Sequence, residues 1–116
     1  MLEKGKIYSV RGRKMYYLGE GIYPSDTETF AARITDPRLG KGIMVINVPE
    51  ENMEINEGRI KIKKDSAVTS ISYDPEQAHS KEHGRLPHKG SYTDLNEILT
   101  KVEKGKKIPD KLNLYK

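Results

Sequence analysis

Residues 59–73 read RIKIKKDSAVTSISY, with Ile60 and Ile62 alternating against Arg59, Lys61 and Lys63. A two-residue period of this kind is the pattern of a strand with one buried face and one wet face. Asp65 and Ser66 are turn residues, and Val68 to Tyr73 return as a second strand rich in β-branched side chains. Paired as a hairpin, Ile60 faces Ile71 and Ile62 faces Thr69, while Lys61 faces Ser70 and Arg59 faces Ser72. One face of that hairpin is apolar and the other is basic and hydroxylated.

Working back towards the N-terminus, residues 6–20, KIYSVRGRKMYYLGE, predict another hairpin whose two-residue connection is Gly12 and Arg13, with glycine at the position where a type II′ turn needs positive φ. In that register Val10 faces Met15 and Tyr8 faces Tyr17 on one side, and Ile7 faces Leu18 and Ser9 faces Tyr16 on the other. Both faces are apolar enough to be buried. Arg11 would stand opposite Lys14, next to Arg13, a like-charge crowding that an anion would relieve. Phe30 to Ile34 and Ile43 to Val48 flank TDPRLGKG and make a further hairpin with a longer loop, ended by Pro49. The acidic stretch EENMEINEG, residues 50–58, closes on a glycine ahead of the basic strand.

About six short antiparallel strands with tight turns in residues 1–73 predict a mainly β fold, a small twisted barrel or rolled sheet of the Src-homology or OB type. The segment that follows changes character. Asp74, Pro75 and Gln77 are helix-starting residues and Gly84 a stop, which predicts a short polar helix over 75–83, and GRLPHKGSY then reads as loop. From Asp94 to Glu103, Leu95, Ile98, Leu99 and Val102 fall on one stripe and Gly105 ends the run, so an amphipathic helix is expected to lie on the sheet. The single domain thus divides into a β core (1–73), a polar histidine-bearing insert (74–92), and a helix with a basic tail (93–116).

Composition narrows the function classes. The 116 residues contain no cysteine, which excludes disulfide frameworks, thiolate metal sites and cysteine nucleophiles and suits a reducing compartment. No apolar run approaches the roughly 20 residues of a membrane span, and MLEKGKIYSV lacks the apolar centre of a signal peptide, so a cytoplasmic protein without a membrane partner is expected. The net charge of +4 is unevenly spread. Residues 1–20 hold five basic and two acidic groups and residues 79–116 nine and five, whereas residues 21–60 hold four and seven. Basic ends of this kind can steer an anionic partner.

Three sets of residues are candidates for function. The first is a basic face made of Arg59, Lys61 and Lys63 with the Arg11, Arg13 and Lys14 tip, suited to nucleic-acid phosphates and not to sequence readout. The second is HSKEHGRLPH, which contains all three histidines. His79, Glu82 and His83 spell the inverted zinc-peptidase pattern, but on a short polar segment stopped by glycine, so no metal or other cofactor is expected, with His79 and His83 the weak candidates for ligands. In a metal-independent ribonuclease, His79, His83 and His88 would supply acid and base, Glu82 an alternative base, and Lys81, Arg85 or Lys89 the cation. The third is an accessory or inhibitor protein of the phage or mobile-element kind, docking on a larger protein through residues 74–92 and the tail. Tyr8 and Tyr17 belong to the first set only if they face outward as a stacking platform; few other aromatics exist to fill a core, so they are expected inside.

Overall fold

The structure is a computed structural model and describes residues 2–21, 27–63, 66–74, 76 and 89–108. It has seven strands, β1 (Ile7–Val10), β2 (Arg13–Gly21), β3 (Thr27–Asp36), β4 (Gly40–Pro49), β5 (Met53–Asn56), β6 (Arg59–Ile62) and β7 (Val68–Tyr73), and one helix, α1 (Lys89–Glu103). The strands form one sheet in the order β5-β6-β1-β2-β3-β4-β7. Every neighbouring pair is antiparallel except β1 with β6. The protein is therefore mainly β with a C-terminal helix, but the expected set of about six antiparallel strands becomes seven in a mixed sheet. The added strand comes from the acidic stretch, where Met53 and Ile55 alternate with Glu54 and Asn56.

The sheet is open, since β5 and β7 end it without pairing to each other. It is nevertheless strongly rolled. Arg11, at the β1–β2 tip, donates a hydrogen bond of 3.4 Å to the Thr69 hydroxyl on β7. In a flat sheet four strand spacings, about 19 Å, would separate β1 from β7. The inner face closes on a core of Tyr8, Val10, Met15, Tyr17, Phe30, Ala32, Ile46, Val48 and Ile60, which joins residues of β6 to residues of β4. On the outer face Leu18, Ala31, Ile43 and Val45 receive Leu95, Leu99 and Val102 of α1. Helix and sheet each present their predicted stripe. The first hairpin buries its inner face through Tyr8, Val10, Met15 and Tyr17, but its outer face only on β2, where Leu18 lies under the helix, while Ile7 of β1 is 47% exposed and corrects the expectation that both faces are covered.

Two registers differ from expectation. In the first hairpin Val10 pairs with Arg13, Ser9 with Lys14, Tyr8 with Met15 and Ile7 with Tyr16. The turn residues are Arg11 and Gly12, at φ 52° and 79°, which is the type I′ geometry. A shift of two residues preserves which side chains share a face, so the core assignment survives while the Arg11–Lys14 opposition disappears. The second difference is larger, because β6 and β7 do not pair. Ile60 stands opposite Ile55 and Lys61 opposite Glu54 on β5, with β1 on the other side of β6, and β7 pairs with β4, Ile71 facing Met44 and Thr69 facing Ile46. The chain between β6 and β7 is too long for a two-residue turn, and moving β7 across the roll gives the ten-residue β4 a partner on both sides.

Local chemistry explains the connections. Between β3 and β4, the Asp36 carboxylate accepts the backbone N–H groups of Leu39 (2.9 Å) and Arg38 (2.7 Å), which hold its carboxyl below the usual range. Gly42 of β4 lies under the ring of Tyr73, where an added Cβ would come within 2.9 Å of the ring and 3.1 Å of the Ser72 carbonyl oxygen. Helix α1 ends in a Schellman motif: Lys106 N–H bonds to Lys101 O at 2.8 Å, and Gly105 N–H to Val102 O at 3.0 Å, with Gly105 at φ 72°. The helix begins at Lys89, five residues before the predicted start, so the end of the stretch read as loop is helical. Arg33 of β3 fastens it by bonding to both carboxylate oxygens of Glu103 (3.1 and 3.2 Å), to Asn96 (2.7 Å) and to Thr100 (3.2 Å).

The β5–β6 turn supplies a direct test of backbone strain. Glu57 and Gly58 have φ 48° and 81°, again a type I′ pair, and Glu57 is exposed. A side chain in the left-handed region costs roughly 1 kcal/mol, and asparagine tolerates that region best among non-glycine residues. Glu57→Asn is expected to raise stability by about 0.5–1 kcal/mol, read as a higher urea midpoint at constant slope.

Candidate functional site

Helix α1 lies on the outer face of β4, reaching β7 on one side and β2 and β3 on the other, and leaves that of β1, β6 and β5 open. Strand alternation determines what this uncovered area presents. On β6 Arg59 and Lys61 are exposed while Ile60 between them is 3% exposed, and on β1 Tyr8 and Val10 are buried while Ile7 is 47% exposed. Ser9 of β1 is flanked by Lys14 of β2 and Arg59 of β6, and Asn56 of β5 lies beyond Arg59, so one row crosses four strands. The Lys14 and Arg59 backbones are two strand spacings apart, about 10 Å, and Arg59 and Lys61 are about 7 Å apart along β6. An open groove of about 1160 Å³ runs here, lined in part by Ser9, Arg11, Asn56, Arg59 and Lys61.

The six predicted cations are thus partly gathered. Lys14, Arg59 and Lys61 share the outer face, and Lys63 follows directly after β6, its N–H bonded to Asn52 O at 2.7 Å. Arg11 sits at the rim and reaches towards β7. Arg13 pairs with Val10 and so falls on the opposite side by alternation. No ion pair joins Arg13, Lys14, Arg59, Lys61 or Lys63 to another described residue. Glu54, facing Lys61 across β5 and β6, places one negative group inside the basic area. Glu54, Asn56 and Ser9 escaped the sequence reading because β6 was paired with β7; the alternation of MEIN is the signal that would have revealed β5.

Tyr8 and Tyr17 are 3% and 8% exposed and pack with Phe30, at centroid distances of 6.3 Å for Tyr8–Phe30 and 5.4 Å for Tyr17–Phe30. They are core, as expected, and no stacking platform forms from them. The Tyr17 hydroxyl donates to the Glu28 carboxylate. Burial first, and then that bond and the carboxylate's charge, push the Tyr17 phenol well above its ordinary value of 10.0. A raised phenol binds its proton more tightly in the folded state, so this contribution is complete below pH 10 and is lost as pH rises beyond it.

His79, Glu82, His83, Arg85 and His88, with all of the predicted helix over 75–83 except Glu76, lie outside the described residues. Among the described residues no group of three or more His, Cys, Asp or Glu side chains is placed to hold a metal ion. No described helix is long and apolar enough to cross a membrane. No protein-family profile, no curated protein and no solved structure matches this chain.

Proposed function

We propose that the outer face of β1, β6 and β5 is a non-enzymatic binding surface for nucleic acid, contacted through its phosphates. The observation that carries this reading is the exposure of Lys14, Arg59 and Lys61 on one uncovered, rigid strand face, with no ion pair to another described residue. The strands fix the spacing of these cations, and each phosphate they neutralise releases a counterion. Side chains arranged this way position a backbone and carry no base information. The rolled sheet supports the finer reading as an incomplete barrel of the Src-homology or OB type. A chain without cysteine, acting on nucleic acid, suits the cytoplasm.

The test is binding of labelled duplex DNA, single-stranded DNA and RNA over a salt series, followed by anisotropy and by electrophoresis of the same samples. Double replacement Arg59→Gln and Lys61→Gln is expected to weaken binding and to reduce the slope of log affinity against log salt by about 2. An unchanged slope, or no binding at low salt, would sink the proposal. Cleaved RNA would transfer the function to the histidine segment. A second reading, an accessory protein that docks on a larger protein in the manner of phage or mobile-element inhibitors, is favoured by one observation: Ile55, Val68 and Ile71 are exposed on the two edge strands. Binding that ignores salt and fails on replacing an edge isoleucine would select it.

A further inference from the structure

The two edges of the sheet are built differently. Strand β5 is four residues long, carries Glu54, and is bracketed by Glu50, Glu51 and Glu57. Charge and shortness are the usual means by which an edge avoids pairing with another chain. Strand β7, VTSISY, is six residues long and has no charge, no proline and no glycine. Two of its apolar side chains are open to solvent, Val68 at 53% and Ile71 at 38%.

The backbone groups of β7 that no other described strand takes up can be assigned. Asp74 N–H bonds to Lys41 O at 2.8 Å, and these residues are opposite each other, one step beyond the Gly42–Tyr73 pair. Hydrogen-bonded and non-bonded pairs alternate along an antiparallel ladder. Ser72, Ser70 and Val68 therefore direct their N–H and C=O groups to β4, and Thr69, Ile71 and Tyr73 direct theirs outward. Arg11 reaches Thr69 through its hydroxyl.

We infer that β7 pairs antiparallel with β7 of a second copy of this chain, about a two-fold axis normal to the sheet through Ile71. Such an axis keeps the same sheet face upward in both copies, so only residues of the same parity can stand opposite each other. The register centred on Ile71 sets Ile71 against Ile71 and Thr69 against Tyr73 in both directions. It satisfies all three outward-facing residues of each strand at once, and registers displaced by two leave some of them unpaired. No charged side chain of β7 is brought against its equal, which is what allows an uncharged strand to be its own partner. Pairing of β7 with β5 would instead place Glu54 in the new ladder and produce an open-ended chain of molecules; the closed two-fold avoids both. A single strand-to-strand contact is small as interfaces go, so the dimer is expected to be weak and concentration-dependent. The inference is independent of the nucleic-acid reading. If both hold, each dimer carries two basic faces, and binding to a long polyanion gains from bivalency.

Sedimentation of the full chain across a concentration series is expected to show the mass rise from the 13.2 kDa protomer towards twice that value. Ile71→Lys and Ile71→Glu should each remain at protomer mass, because the axis sets like charges face to face, and a one-to-one mixture of the two should recover the dimer. Wild-type chain that stays at protomer mass throughout would overturn the inference, as would an Ile71→Lys protein that dimerises as before. A measurement on the unmodified chain guards against variants that fold poorly: exchange of the Ile71 amide should slow as concentration rises, and a rate independent of concentration counts against the pairing.

Discussion

Replacing Phe30 by alanine is expected to cost about 3–5 kcal/mol, a large part of the total stability of a domain of this size. Phe30 is fully buried near the middle of β3, between Ile46 on β4 and Tyr17 on β2, so its ring sits inside the inner core. The chain has one phenylalanine and no tryptophan, and the inner core is otherwise aliphatic apart from Tyr8 and Tyr17. Those two rings cannot move in to fill the void. Tyr8 is tied by the Glu3 N–H, which donates to its hydroxyl at 2.9 Å, and Tyr17 by its bond to Glu28. Shifting either would break a polar contact in a region that is partly closed to water, adding to the cost of an empty cavity. Urea unfolding should show a much lower midpoint with nearly the same slope. A loss under 1 kcal/mol would mean that the roll collapses around smaller side chains and that its curvature does not depend on this ring.

What the sequence revealed, and what it hid, follows from the range of the interactions concerned. Alternation is local, so Ile60 and Ile62 against Arg59, Lys61 and Lys63 correctly gives a strand with a wet basic face, and Leu95, Leu99 and Val102 correctly give a helix that docks. The faces of the first hairpin were also legible, because a register shift of two residues leaves them unchanged; the turn itself was not, since Arg11 adopts a conformation that glycine would have advertised. Partner choice between strands is not local. Nothing in RIKI or VTSISY says that the first lies parallel to β1 and the second against β4, and the intervening turn residues pointed to a hairpin. The candidate site inherited that limit. Its cations Lys14, Arg59 and Lys61 were named from the sequence, while Ser9 and Asn56 joined them only through the β2-β1-β6-β5 pairing, which also removed Arg13 to the other side.

Leu99→Ala is the counterpart for the outer core and separates stability from function. Leu99 is fully buried between α1 and the sheet, in one cluster with Leu18, Ala31, Ile43 and Val45. Its truncation is expected to cost about 2–5 kcal/mol. The Arg33 clasp on Glu103, Asn96 and Thr100 does not replace that loss, because an ion pair whose side chains are 37% and 38% exposed adds at most about 1 kcal/mol. The helix is thus held mainly by its apolar stripe, and the clasp chiefly fixes its direction. Because α1 lies on β4 and reaches β7, β2 and β3 while the basic face lies on β1, β6 and β5, the remaining folded Leu99→Ala protein should bind polyanion with unchanged affinity and salt slope. The Arg59→Gln, Lys61→Gln protein should do the reverse, unfolding near the wild-type midpoint and binding poorly. Loss of binding in folded Leu99→Ala would show that the helix side takes part in the contact, and the site would have to be redrawn to include it.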